Sequence, residues 1–378
     1  MIPILYEKTE TAFASNGLGR LRDATSVVVT EEKNSIYECD FEYPITGAHF
    51  DEIQIGRIIG VTHDDTGEIQ PFDIVGYERP IDGIVTFHCT HISYRQKFYT
   101  VDPTIIEPTV SPEGSMLLLC GDHAQPYNPF WYESDIPVVM RYCPVFDGPP
   151  LSVRQFLGGT EGSILDTFGG EYEWNKFTVK LWQSRGQLKD ITIRYGVNML
   201  GYNEELNVEE SYSACIPYWT DGTQRVIGDR QVGDLNTITN RGETIPMDVS
   251  DSFENKPSKA QVNAEGLRQI NALKPALPVQ TITVEFVTLK ELGEFQNLAT
   301  CRLCDSVKVV FPDYNTSGTF EIVKVVWNAL EDRYEEMELG ALSKSLAEAL
   351  GIKQGVTKKG SASVPVSQDS GTGVLSIG

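Results

Sequence analysis

The stretch Gly158–Gly196, GGTEGSILDTFGGEYEWNKFTVKLWQSRGQLKDITIRYG, changes its hydrophobic period halfway, and the rest of the chain is read outward from it. Its first part predicts a short helix. Thr160 can act as N-cap, Glu161 puts a carboxylate in the first turn, and Ile164, Leu165 and Phe168 supply apolar contacts. Gly169 and Gly170 stop the helix, because glycine accepts the left-handed conformation of a helix exit. The period then falls to two. Phe177, Val179 and Leu181 share one strand face, with Thr178 and Lys180 on the other. The loop Gln183–Gln187 turns the chain into a return strand with Ile191, Ile193 and Tyr195 on one face, so a hairpin is expected. Nothing in a helix, a two-glycine exit and a hairpin calls for catalysis.

Upstream, residues 1–92 read as nearly all β. Strands are expected at 53–61, 69–77 and 84–91, joined by Asp64-Asp65-Thr66-Gly67 and by Asp82-Gly83, a good hairpin signal. Short strands at this spacing suggest a small barrel or a curled sheet. Between about 93 and 188 the texture changes. Pro103, Pro108, Pro112, Pro126, Pro129, Pro144, Pro149 and Pro150 break long elements, and Leu151–Leu157 gives a turn or two of helix. Beyond 189 β signals return. Cys215–Trp219 and Gln224–Ile227 flank an Asp221-Gly222 turn. Ser258–Leu273 predicts a helix with Val262, Gly266, Ile270 and Leu273 on one face. Ile282, Val284 and Phe286 alternate, and Val307–Phe311 pairs with Phe320–Trp327 across Asn315–Gly318. Leu339, Leu342, Leu346 and Leu350 recur at helical spacing, and from Gly351 the chain reads as a flexible polar tail. The expected fold is therefore mixed β and α/β. Two β-barrel-like domains (1–92 and 189–338) flank an α/β insertion (93–188), and 339–378 forms a short C-terminal helix and tail.

A chain of 378 residues, 40% hydrophobic and 22% charged, has an ordinary globular composition with room for two or three domains. No apolar run approaches the ~20 residues of a membrane helix. The N-terminus, Met1-Ile2-Pro3-Ile4-Leu5-Tyr6, lacks a signal peptide's basic and apolar regions and reads as an immediate strand. With 31 Lys and Arg against 53 Asp and Glu, the net charge is −22. Such a chain is poorly suited to hold nucleic acid, whose binding draws on clustered cations. The carboxylates form a solvated surface or line a conduit that repels passing DNA. Seven scattered cysteines, an odd number, do not form a disulfide framework and are expected to be mostly reduced and buried.

Four constellations offer ligand or binding chemistry. His88 faces away from Cys89 and His91 on a strand, so the three do not converge on a metal. Cys301-x-x-Cys304 has zinc or redox spacing, but no second ligand pair follows it and a strand rather than a helix begins there. Asp64, Asp65 and Glu68 lack the spacing of an EF-hand loop and read as a solvated turn. His123, Asp122, Tyr127, Trp131 and Tyr132 form an aromatic loop that either packs locally or binds sugar or a partner. No nucleophile elbow, Cys–His pair or Walker loop is recognisable. No catalytic, cofactor-binding or metal-binding residue is assigned, and no cofactor is expected.

The run Gly159–Trp174, with Lys180-Leu181…Arg185-Gly186 and Ile193-Arg194-Tyr195-Gly196, resembles a segment of the tail-associated lysin (prophage endopeptidase tail) family of long-tailed phages and prophages. Pro71–Ile74 through Gly83–Thr86 and His91–Tyr94 are similar to the family's N-terminal pattern. Cys304–Val309, Asp332-Arg333-Tyr334 and Glu338-Leu339-Gly340 are similar to its later strands. The shared part is the family's structural module, which is similar to the baseplate hub of contractile-tailed phages. The resemblance implies a non-enzymatic homotrimeric ring beneath the distal tail protein, in contact with other tail-tip proteins. Such a ring closes the channel or lets DNA through without specific binding. A location in the virion tail tip, assembly in the host cytoplasm and no membrane anchor go with it. The lysin region is expected to be missing here, so no catalytic position carries over. The alternatives are a peptidoglycan hydrolase and a module that binds cell-wall polysaccharide through the Tyr127–Tyr132 loop.

Overall fold

The computed structural model describes residues 1–103, 107–195, 199–207, 212–234, 242–253, 255–273, 279–286, 301–314 and 316–341. The N-terminal part supplies β1 (Ile4–Tyr6), β2 (Gly19–Arg20), β3 (Ser26–Glu32), β4 (Tyr37–Pro44), β5 (Ile58–Thr62), β6 (Ile69–Glu78) and β7 (Ile84–His91). Alternation is strict in β3, β4 and β7, whereas β5 is buried at every position and β6 is irregular. In β7 Val85, Phe87, Cys89 and His91 are buried while the residues between them are not.

The middle part holds short elements between its prolines. These are β8 (Thr100–Val101), β9 (Thr109–Val110), α1 (Pro112–Leu117), β10 (Ala124–Gln125), β11 (Trp131–Ser134), β12 (Arg141–Tyr142), β13 (Leu151–Ser152), α2 (Val153–Leu157), α3 (Ile164–Phe168), β14 (Glu171–Asn175) and β15 (Thr178–Trp182). The last part contributes β16 (Leu188–Arg194), β17 (Met199–Asn207), β18 (Ala214–Thr220), β19 (Arg225–Ile227), β20 (Gln231–Val232), β21 (Thr244–Asp248), α4 (Lys259–Leu273), β22 (Val279–Phe286), β23 (Ser306–Phe311), β24 (Thr316–Asn328) and β25 (Arg333–Ala341).

The two expected barrels do not form. Strands from both ends of the chain share one 13-stranded sheet in the open order β17-β22-β25-β24-β3-β4-β7-β6-β5-β1-β2, with β16 and β23 off the path. The physical reason lies in β24. Its first half pairs with β23, from Phe311↔Thr316 to Ser306↔Glu321. Its second half pairs with β3, from Lys324↔Glu32 to Asn328↔Val28. A strand long enough to change partners joins what the sequence reads as two units, and neither closes on itself. Among the described residues, four smaller sheets accompany the large one.

The expected hairpin over 177–195 is also replaced. β15 pairs antiparallel with β14 and parallel with β11. β16 instead runs parallel to β23, so the 183–187 connector crosses from the middle part to the large sheet. Ile193 is buried there, whereas Tyr195 is exposed and meets Phe311 edge-on at 4.6 Å. The helix before this segment starts later than expected. Ser163, not Thr160, caps α3 by accepting from the Asp166 N–H, and Gly169 (φ 71°) ends it as predicted. Leu339 is a buried residue of β25 rather than the start of a helix, and Leu342, Leu346 and Leu350 lie outside the described residues.

One core joins the N-terminal sheet to the middle part. Phe41, Phe72 and Phe87 pack continuously with Phe130, Phe146, Phe156 and Leu181, and Trp327 of β24 enters the same cluster. A second core lies under β16, β22, β23, β24 and β25, and contains Cys301, Leu303 and Cys304. The third packs α4 through Val262 and Ile270 onto the small sheet around β18. All seven cysteines are free, and six of them are buried.

Buried His91 makes the stability pH-dependent. Its ring stacks on Tyr37 at 4.4 Å, and its Nδ1 lies 3.0 Å from Ser93 Oγ. Burial first, and the nearby charge of His63 second, push its pKa well below the ordinary 6.5. The unfolded chain binds a proton there more readily than the fold does. This stability is complete above the unfolded value and declines as pH falls below it. In urea titrations between about pH 7 and about pH 5, His91→Phe should show a shallower loss than the native chain. Equal slopes would remove His91 from the acid response.

Candidate functional site

The connector after β15 carries the most unusual chemistry. Glu171 opens β14, Arg185 and Gly186 sit in the connector, Lys33 follows β3, and Glu321 belongs to β24. Lys33 Nζ lies 2.9 Å from Glu171 Oε1 and 2.7 Å from Glu321 Oε1, with all three side chains largely covered. One ammonium thus joins the N-terminal sheet, the middle part and the C-terminal strands. Burial alone would lower the Lys33 pKa, but hydrogen bonds to the two carboxylates raise it. Burial also works to raise both glutamates. For Glu171 it is outweighed by Lys33 and by the Arg185 N–H, so its pKa falls; for Glu321 burial and the Glu171 charge prevail, and its pKa rises. The pair behaves as one carboxylate that keeps its charge beside one that keeps a proton longer.

Beside this triad, the Arg185 guanidinium donates to Glu31 Oε1 at 2.8 Å and to the Tyr172 carbonyl at 3.3 Å. Its backbone N–H donates to Glu171 Oε2 at 2.6 Å. Burial opposes the Arg185 charge, and Glu31 more than restores it. Gly186 is required by space. A Cβ there would lie 1.8 Å from the Cys304 carbonyl oxygen and 2.5 Å from the Asp305 nitrogen. Asp305 then accepts from the Gln187 N–H at 2.9 Å and the Arg302 N–H at 2.9 Å, and its Oδ2 lies 3.4 Å from Lys189 Nζ. Asn34 closes the rim. Its Nδ2 donates to the Gly170 carbonyl and its Oδ1 accepts from the Tyr172 N–H.

Cys304, Glu171 and Glu321 are the one set of three metal-type ligands close together among the described residues, their ligand atoms lying within 4.8 Å of one another. The Lys33 ammonium bridges the two carboxylates, so the set already holds a cation of its own. Burial pushes the Cys301 thiol up to about 12 and the Cys304 thiol higher still. The cluster fastens three stretches of chain to one another.

The other constellations are placed as follows. His88 lies on the outer face with Nδ1 2.9 Å from Asp40 Oδ1, opposite to buried Cys89 and His91. Asp64, Asp65 and Glu68 are more than a solvated turn. Asp64 accepts from the Thr66 N–H at 2.9 Å, Asp65 from Arg302 at 2.8 Å, and Glu68 from Asn175 and Lys176 at 3.1 and 3.2 Å. The turn therefore pins the N-terminal sheet to two other regions. In the aromatic loop Tyr132 is buried between Asn128 and Gln96, while Tyr127 and Trp131 are exposed and His123 stands at the surface. Sequence reading missed Lys33, Glu31 and Glu321, and gave Glu171 no role although it lies in the Gly159–Trp174 run. Isolated charges inside alternating strands carry no local signal until distant strands pair. Arg185-Gly186 and Cys304-Asp305 did stand out, and the fold brings them into contact.

A prophage tail protein gp18 of Listeria monocytogenes shares the fold with a TM-score of 0.57 at 14% identity, over 93% of this chain and 97% of that one. The 43 kDa tail protein of prophage MuSo2 from Shewanella oneidensis gives 0.58 at 10% identity, over 92% and 99%. A tail protein of Neisseria meningitidis gives 0.56 at 10%, over 92% and 98%. No curated protein sequence matches the chain. Residues 188–350 match the family described as prophage endopeptidase tail.

Proposed function

We propose that this protein is a non-enzymatic structural component of a phage or prophage tail tip. In this reading it is a hub whose copies form a trimeric ring beneath the distal tail protein. The observation that carries the reading is the fold shared with three tail proteins over more than nine-tenths of their own lengths. The buried junction supports it as well. Lys33, Glu171, Glu321, Arg185 and Glu31 fasten three stretches of chain into one body, which a ring under mechanical load requires. The net charge of −22 suits a passage from which DNA is repelled rather than held. Among the described residues no helix is long and apolar enough to cross a membrane. The ring would be built in the host cytoplasm and reside in the virion.

Incubation of the purified chain with peptidoglycan is expected to release no muropeptides. Release above a heat-inactivated control would replace this reading with that of a hydrolase. One observation favours a second reading. Tyr127 and Trp131 stand 62% and 56% exposed on the middle part, as a sugar-binding platform would. Saturable binding to cell walls that is lost in Trp131→Ala would support a polysaccharide-binding module instead.

A further inference from the structure

The outer edge of the large sheet carries a cleft that the junction does not use. It encloses about 520 Å³ and is lined by Asn16, Arg20, Arg22, Asp23, Ala48 and His49. Two glycines shape it. Gly17 holds φ +55°, and a Cβ on it would meet the Leu5 carbonyl oxygen at 2.2 Å. Gly19 leaves room for the imidazole of His49, whose Nε2 would lie 2.6 Å from a Cβ at that position. Leu21 is fully buried and anchors the segment, while Arg20 and Arg22 on either side of it stay exposed. On the facing wall Asp23 accepts from the Ala48 N–H at 2.8 Å and from the Tyr43 hydroxyl at 3.5 Å. His49 Nδ1 lies 2.7 Å from Glu52 Oε1.

The two guanidiniums are uncommitted. Arg20 donates to a neutral acceptor, Asn16 Oδ1, at 3.3 Å. Arg22 has no ion-pair or side-chain hydrogen-bond partner among the described residues. In a chain with 53 acidic residues against 31 basic ones, two arginines in one cleft without a carboxylate of their own form a site of charge excess. Guanidinium groups fork onto carboxylates with two parallel hydrogen bonds and hold them better than an ammonium does.

We propose that this cleft docks an acidic peptide segment of a protein neighbour, with its carboxylates seated between Arg20 and Arg22. The boundary of the cleft favours a peptide over nucleic acid. Asp23 lines the cleft beside the cationic pair and Glu52 stands against His49, so a continuous run of phosphates would press further charge against these carboxylates. A short acidic side chain meets the arginines and stops there. β2 pairs only with β1 among the described residues, so the cleft lies where the sheet ends and a neighbour can approach.

The test uses the full chain and fluorescein-labelled hexaglutamate, followed by anisotropy at low salt. Saturable binding is expected, weakened about tenfold or more by R20E/R22E and less by R20A/R22A. K97E, which reverses an exposed cation elsewhere, should leave it unchanged, and a cooperative melt checks the fold of each variant. Absence of saturable binding would overturn the proposal. An equal loss in K97E would do so too, because the attraction would then belong to the whole surface. Tighter, Arg20- and Arg22-dependent binding of a DNA duplex of matched charge would assign the cleft to phosphate instead.

Discussion

Replacing Arg185 with methionine is expected to destabilise the fold by roughly 3–5 kcal/mol, the range for breaking a buried ion pair by removing one partner. Glu31 is 4% exposed and receives the Arg185 guanidinium at 2.8 Å. Without that partner a carboxylate remains in the core with no opposite charge against it. Most of the loss is this stranded charge, not the attraction itself. The double variant Arg185→Met/Glu31→Leu should therefore be more stable than Arg185→Met alone, although it lacks one more polar group. Urea unfolding of the single and double variants measures the difference. A double variant less stable than Arg185→Met would mean that Glu31 is satisfied by other groups, and the junction would lose its electrostatic account.

Gly186→Ala should be as damaging for a different reason. The added methyl would sit 1.8 Å from one backbone atom of Cys304 and 2.5 Å from one of Asp305, neither of which can rotate away. The connector must lift off the loop before β23, which also pulls the Gln187 N–H from Asp305. A loss of roughly 3–5 kcal/mol is expected, above the roughly 1–3 kcal/mol of ordinary overpacking. Gly148→Ala is the natural comparison, since a Cβ there has its nearest neighbour at 3.6 Å and should be nearly neutral. Comparable midpoints for the two variants would show that the connector gives way easily and does not lock the parts together.

Local pattern made much of the secondary structure legible. Strict alternation marked β7, the Asp221-Gly222 turn marked β18 and β19, and the spacing of Val262, Gly266 and Ile270 marked α4. Pairing was legible only where it was local. Ile191 and Ile193 alternate as expected, yet nothing in the segment says that β16 lies beside β23 rather than β15. That choice is made by Gly186, whose close approach to Cys304 is visible only once both are placed. The two-barrel expectation failed on the same point. Phe320–Trp327 was read as a strand paired across one turn, whereas its second half is taken by β3, hundreds of residues away in sequence. The junction inherits this difficulty. Lys33 and Glu321 become partners because β3 and β24 do, and two charged residues that far apart give a sequence no reason to connect them.

Assembly into a ring is the central claim, and sedimentation equilibrium of the purified chain with negative-stain imaging at high concentration tests it most directly. A trimer with an axial hole is the predicted result. A chain that stays monomeric at every concentration, alone and with its distal tail protein, would contradict it.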